Sequence, residues 1–140
     1  MPRRPPARVR ATQRRSPRSE RTRPVARIPH ASSTLHAAVT ILERQSDDFG
    51  RGDIAEAYRT WRRKADRPIP SPIGSGFDGE CGIWGCCPPS RNALELAMRR
   101  LPKRPARELR RLVAVLDDRF LKRTFPDPTA PPGPWWHRRC

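Results

Sequence analysis

Apolar side chains fall along this chain in four periodic groups, separated by runs of proline, glycine and charge. Leu35, Ala38, Val39 and Leu42 recur at three- and four-residue spacing. Ser32 or Ser33 stands ahead of them to accept from exposed helix N–H groups, so the pattern predicts a first helix over 33–45. The run Asp47-Asp48-Phe49-Gly50-Arg51-Gly52 ends it. Asp53 with Glu56 three residues on has the form of a capping box. It opens a second helix to about residue 64, with Ile54, Ala57, Tyr58 and Trp61 on its inner face. Arg62, Arg63 and Lys64 fall in its last turn, where cations favour the negative helix end.

The second half of the chain carries the clearest periodicity. Ser90 is placed to cap a third helix with Leu94, Ala97, Met98 and Leu101 inward and a Glu95–Arg99 pair outside. Pro102-Lys103-Arg104-Pro105 turns the chain, and Pro105 suits the first position of a fourth helix. Leu109, Leu112, Val113, Leu116 and Phe120 share one face of it. So short a turn makes the two helices neighbours. Between the helix pairs, residues 65–89 hold Pro68, Pro70, Pro72, five glycines and Pro88-Pro89, a stretch without regular structure. Loops of that length are functional or merely linking. Beyond Thr124, five prolines leave an extended tail ending Trp135-Trp136-His137-Arg138-Arg139-Cys140. The tryptophan pair can stack on bases, sit at a membrane interface or clip onto the core, and the last is the simplest use. The expected fold is therefore all-α, a small domain of about four helices. A basic arm over 1–31 precedes the helical domain over 32–125, and a Pro/Trp-rich tail over 126–140 follows it.

Charge changes the picture at the N-terminus. The chain has 30 Lys+Arg against 14 Asp+Glu, a formal net charge of +16, and only Lys64, Lys103 and Lys122 are lysine. A GC-rich genome accounts for arginine over lysine but not for the surplus of base over acid, which attracts polyanions. Residues 1–31 hold ten arginines against the single acid Glu20 and almost no large apolar side chains. Such a segment cannot offset the ordering cost of about 1–2 kcal/mol per residue and is expected to be disordered. Arg3, Arg4, Arg8, Arg10, Arg14, Arg15, Arg18, Arg21, Arg23 and Arg27 are its candidate nucleic-acid contacts. Guanidinium forks match phosphate, and each neutralised phosphate releases condensed counterions. The arm has no interleaved aromatic rings, so base stacking is not expected there.

Candidate chemistry elsewhere is sparser. Cys81, Cys86, His137 and Cys140 could offer thiolates and an imidazole to a tetrahedral zinc, although a C-x4-C pair fifty residues from H-x2-C is a weak form of that signal. The simpler reading is a set of buried, unreactive thiols around Trp84. Cys86 and Cys87 precede a helix N-terminus, which lowers thiol pKa, but no protease signature surrounds them and the imidazoles are only His30, His36 and His137. The glycines at 74–85 make no phosphate loop, because no Gly-Lys-Ser/Thr follows. Arg51-Gly52-Asp53 spells an adhesion tripeptide but reads as a helix start. Asp117 and Asp118 diverge around the helix, and Asp118 suits Lys122 as an i,i+4 partner. Arg107, Arg110 and Arg111 lie where a recognition helix keeps its base-reading residues, yet the turn before them has two prolines and no glycine.

No stretch reaches the ~18 apolar residues of a membrane span. No apolar segment follows the basic start as in a signal peptide, and the prolines oppose a transit-peptide helix. Four cysteines are too few and too bunched for a secreted disulfide framework, so a reducing, cytoplasmic setting is expected. The core that four short helices build is thin, and a partner or second copy would add to it. The expected function is that of a non-enzymatic accessory protein contacting DNA or RNA through phosphate. The alternative is an interaction module, zinc-stabilised or not, with an acidic protein partner.

Overall fold

In the computed structural model, which describes residues 26–67, 89–128 and 130–139, four helices carry the fold. They are α1 (Ser33–Gln45), α2 (Asp53–Asp66), α3 (Pro89–Arg100) and α4 (Lys103–Arg123), followed by a 3-10 turn at Trp135–His137. The chain is all-α as expected. Among the described residues, the only strand-like pairing is a single bridge between Pro126 and Arg139. None of the described helices is long and apolar enough to cross a membrane.

The helix starts show how local chemistry selects each boundary. Ser32, extended at φ −68° and ψ 161°, accepts the Leu35 N–H at 3.1 Å and opens α1 at the expected residue. The capping box expected at Asp53 is not what opens α2. Gly52 holds the cap position at φ 88°, a left-handed conformation that glycine adopts without a Cβ penalty. Asp53 is already helical and turns back to accept from the Gly50 N–H at 2.6 Å. The capping carboxylate comes instead from α1. Glu43 accepts from Gly52 N–H at 2.8 Å and Ile54 N–H at 3.1 Å, which satisfies its buried charge and opposes the positive end of α2. α2 runs past residue 64 to Asp66, because Ala65 packs into the core.

Two more boundaries differ from expectation. α3 begins at Pro89, so Ser90 lies inside its first turn rather than capping it, and its buried hydroxyl has no hydrogen-bond partner among the described residues. α4 begins at Lys103 with Pro102 in the extended cap position. Pro105 is its third residue, where the missing N–H still costs nothing because first-turn donors lack intrahelical acceptors.

α2 packs against both α3 and α4, and α1 lies across α4 and the edge of α2. Trp61, Leu35, Ile54, Leu94, Leu109 and Val113 are fully enclosed. On α4 the buried line runs through Leu109, Val113, Leu116 and Phe120, and Leu112, expected inward, sits half-buried at its edge.

The ends of the domain reach further than expected on both sides. Ile28, assigned to the disordered arm, is only 2% exposed, and Ala26 and Ala31 pack around it. One large apolar side chain is enough to fix residues 26–31 to the body. The tail is not simply extended. Trp136 is buried, the bridge at Pro126 and Arg139 closes the segment, and Arg139 Nη2 donates to the Leu121 and Thr124 carbonyls at 3.1 and 2.5 Å. The tryptophan pair clips onto the core.

Candidate functional site

Charge placement along the helices singles out one region. α2 follows the macrodipole rule, with Asp53 and Glu56 in its first turn and Arg63 and Lys64 in its last. α3 carries Arg91 in its first turn but pairs it with Asp117 and Glu95. α4 obeys the rule at its end, with Lys122 and Arg123 in the last turn, and breaks it at its start. Its first turn holds Lys103 and Arg104 with no acid and no capping side chain, and Arg107, Arg110 and Arg111 follow within two turns. Lys103 and Arg104 face the positive end of their own helix, a local repulsion, and Arg107, Arg110 and Arg111 continue the run of cations beyond it. Arg110 is partly committed, donating to the Met98 carbonyl at the end of α3 at 3.3 Å. Lys103, Arg104, Arg107 and Arg111 form no ion pair among the described residues.

Arg104, Arg107 and Arg111 follow i, i+3, i+7 spacing and so share one face over about 10 Å of axis. That face fronts the segment entering α1. His30, Ser32 and Thr34 on one side, and Arg104, Arg107, Glu108 and Arg111 on the other, line an open groove of about 700 Å3. His30 is exposed and holds φ 62° in a turn closed by the Ala31 N–H on the Ile28 carbonyl at 3.3 Å. The turn anchors Ile28 in the core and leaves Arg27 exposed three residues before the groove. The described chain thus begins at Ala26, four residues before His30 of the groove.

The groove holds one acid. Glu108 accepts from the Ser32 N–H at 2.6 Å and the Ser32 hydroxyl at 2.7 Å. Those two bonds, side chain then backbone, hold its carboxyl below the usual range against slight desolvation, with Arg111 and His36 adding to the shift. It joins α4 to the start of α1 and stays ionised. Three arginines against one carboxylate leave the groove positive.

The other candidate residues divide clearly. Arg3, Arg4, Arg8, Arg10, Arg14, Arg15, Arg18, Arg21 and Arg23 lie outside the described residues, and Arg27 stands exposed at the groove's approach. The arginines of α2 are engaged in ion pairs, although they outnumber the carboxylates they share. Arg59 and Arg63 pair with Glu56, and Arg62 and Arg119 with Asp66. Of the three arginines compared with those of a recognition helix, Arg107 and Arg111 line the groove and Arg110 turns to α3. Arg104, which sequence reasoning treated as part of a turn, completes the stripe. Its i, i+3, i+7 relation to Arg107 and Arg111 was the available signal.

A second cluster, around Arg91, is structural. Arg91 is only 6% exposed, and its Nε and Nη2 donate to the two Asp117 carboxylate oxygens at 3.0 Å each. Nη1 meets Glu95 at 3.2 Å, and the guanidinium lies 4.2 Å from the Trp136 ring centre. Trp61 Nε1 donates to Asp117 at 2.9 Å, and Trp136 Nε1 to Asn92 Oδ1 at 2.8 Å. These bonds commit the cluster's charged groups to one another inside the fold. Asp118 pairs with Lys122 at 2.7 Å as expected. Of the proposed metal ligands, His137 is described, with Nε2 2.7 Å from Asn92 Oδ1. Cys81, Cys86 and Cys140 lie outside the described residues. Among the described residues, no group of three His, Cys, Asp or Glu side chains is placed to hold a metal.

No family model matches the chain, and comparisons with curated proteins and with solved structures found no match.

Proposed function

We propose that this protein binds DNA or RNA through phosphate contacts, as a non-enzymatic accessory factor. The observation that carries the reading is the first half of α4, where unpaired cations crowd a helix end that is already positive. A helix N-terminus with free N–H groups is a natural anion seat, and arginines around it supply the forks that phosphate accepts. An anion there turns a local repulsion into attraction. The neighbouring N-terminal segment adds nine arginines before residue 26, so a polymer of phosphates suits the surface better than a single small anion. No base-reading set is assigned, and the binding is sequence-tolerant.

Fluorescence anisotropy with a labelled 20-nucleotide probe at ~150 mM salt tests the reading. The expected Kd lies within about 1–100 μM, the range of electrostatic binding at physiological salt. A Kd weaker than about 100 μM overturns it and passes the cations to an acidic protein partner. That alternative is read by capture of partners that persists after nuclease treatment.

A further inference from the structure

We infer that His30 stacks on an unpaired base, so that the basic groove recognises single-stranded nucleic acid by more than its phosphates. The inference rests on the phosphate-binding reading above and adds the class of polymer. His30 belongs to a tight turn, Ile28-Pro29-His30-Ala31, closed by the Ala31 N–H on the Ile28 carbonyl. Pro29 fixes a negative φ at the second position, so the φ of 62° at His30 makes the turn type II. The third position of such a turn favours glycine or asparagine, because a larger side chain crowds its own backbone there. Histidine is held against a steric cost that glycine would remove. Backbone strain of that kind clusters at positions that contact a ligand.

The neighbours of the turn fix where the ring sits. Two residues before it, Ile28 is enclosed in the core. Two residues after it, Ser32 caps α1 and donates its N–H and its hydroxyl to Glu108 of α4. Between these anchors His30 is exposed and makes no hydrogen bond or ion pair among the described residues. It lines the groove across from Arg104, Arg107 and Arg111. An imidazole offers a flat aromatic face, and histidine is among the side chains on which unpaired bases stack. With the strand's phosphates on the three arginines, a base turned toward the α1 side meets a ring already in place, and little affinity is lost to ordering it. Every base has such a face, so the contact is sequence-tolerant. In a duplex the bases are paired and stacked on one another, and the groove meets phosphate alone. Stacking was not expected of residues 1–31, which carry no phenyl, phenol or indole ring. The imidazole was visible in the sequence, and its place on the groove was not.

Anisotropy titrations of the full chain at ~150 mM salt compare a labelled 20-nucleotide single strand, a fully abasic strand of the same length and a 20-base-pair duplex. They use the native protein, His30→Gly and His30→Tyr. Each stacked base contributes roughly five- to 150-fold in affinity. The native protein should therefore bind the base-bearing strand at least about fivefold tighter than the abasic one. His30→Gly should lose about fivefold or more on the base-bearing strand and stay within about twofold on the abasic strand and the duplex. Glycine suits the φ of this turn, so the melting point of that variant should hold, and lost binding is then not lost fold. His30→Tyr keeps a ring without the imidazole and should keep the affinity. A glycine variant that weakens on all three probes alike overturns stacking and makes His30 a phosphate contact. Unchanged affinity on the base-bearing strand, or a folded tyrosine variant as weak there as glycine, overturns it as well. These results leave the phosphate-binding reading standing. Native protein that binds no probe tighter than about 100 μM overturns that reading itself.

Discussion

Lys103 occupies the first helical position of α4, beside N–H groups that no carbonyl accepts. Lys103→Glu should therefore raise stability by about 0.3–1 kcal/mol, as acids do in the first turn of an exposed helix. The same change should weaken nucleic-acid binding, and denaturant melts beside a binding curve read both. Stability that falls, or binding that improves, contradicts the reading of this helix end. Glu95 offers a second test at this scale. Partial burial raises its carboxyl pKa, but hydrogen bonds from Arg91 and Arg99, with their charges, outweigh that and leave it below the usual value. A depressed carboxylate stabilises the fold above its unfolded pKa, and that contribution is lost as pH falls through the folded one. Unfolding free energy should thus drop between about pH 5 and the acid limit. Glu95→Gln should flatten part of that drop, with the two curves converging at low pH. Residue pairs of this kind were hard to read in the sequence. The partners of Arg91 at Asp117, and of Glu43 at Gly52 and Ile54, come from other elements. Periodicity marks which face is apolar but not which polar group a neighbouring helix supplies.

Elements were far more legible, because apolar spacing and caps are local. α1 follows the Leu35, Val39 and Leu42 series to the residue, and α2 and α4 depart only at their ends. The departures have two causes. Gly52 and Pro102 take the cap positions by backbone conformation, and Ala65 extends α2 because the core beneath it is continuous. The inner face of α4 was placed slightly too wide. Leu116 is 2% exposed, whereas Leu112 opens to the basic groove. Leu116→Ala should cost about 2–5 kcal/mol, and Leu112→Ala distinctly less, about 1 kcal/mol, since part of its surface already meets water. Equal losses in urea melts would mean that the groove closes over Leu112 in solution. The tail was read correctly for its tryptophans and incompletely for its shape. Trp136 docks through Arg91 and Asn92, and nothing in a proline-rich run announces that slot.

For the whole molecule, the net charge of +16 acts in two opposite directions. It repels the compact state, so added salt should stabilise the fold, while the same salt displaces any bound polyanion. The groove was only partly visible in the sequence because its two walls are some seventy residues apart, although Arg107 and Arg111 were marked by position alone. The N-terminal segment and the groove now make a joint quantitative statement. If about six arginines of the segment and the three of the groove each neutralise one duplex phosphate, log K should fall against log salt with a slope near −8. Removing residues 1–25 takes away nine arginines and Glu20. The remaining chain from Ala26 should keep its melting point and its groove, and the slope should flatten to about −3. Phosphate contacts carry no base information, so every duplex sequence should lose affinity alike. Titrations of both proteins between about 50 and 200 mM salt, on duplexes of unrelated sequence, measure all three quantities. A slope indifferent to the loss of residues 1–25 would place binding on the body alone. A truncated protein that weakens on one sequence and not another would require base contacts that phosphate chemistry does not supply.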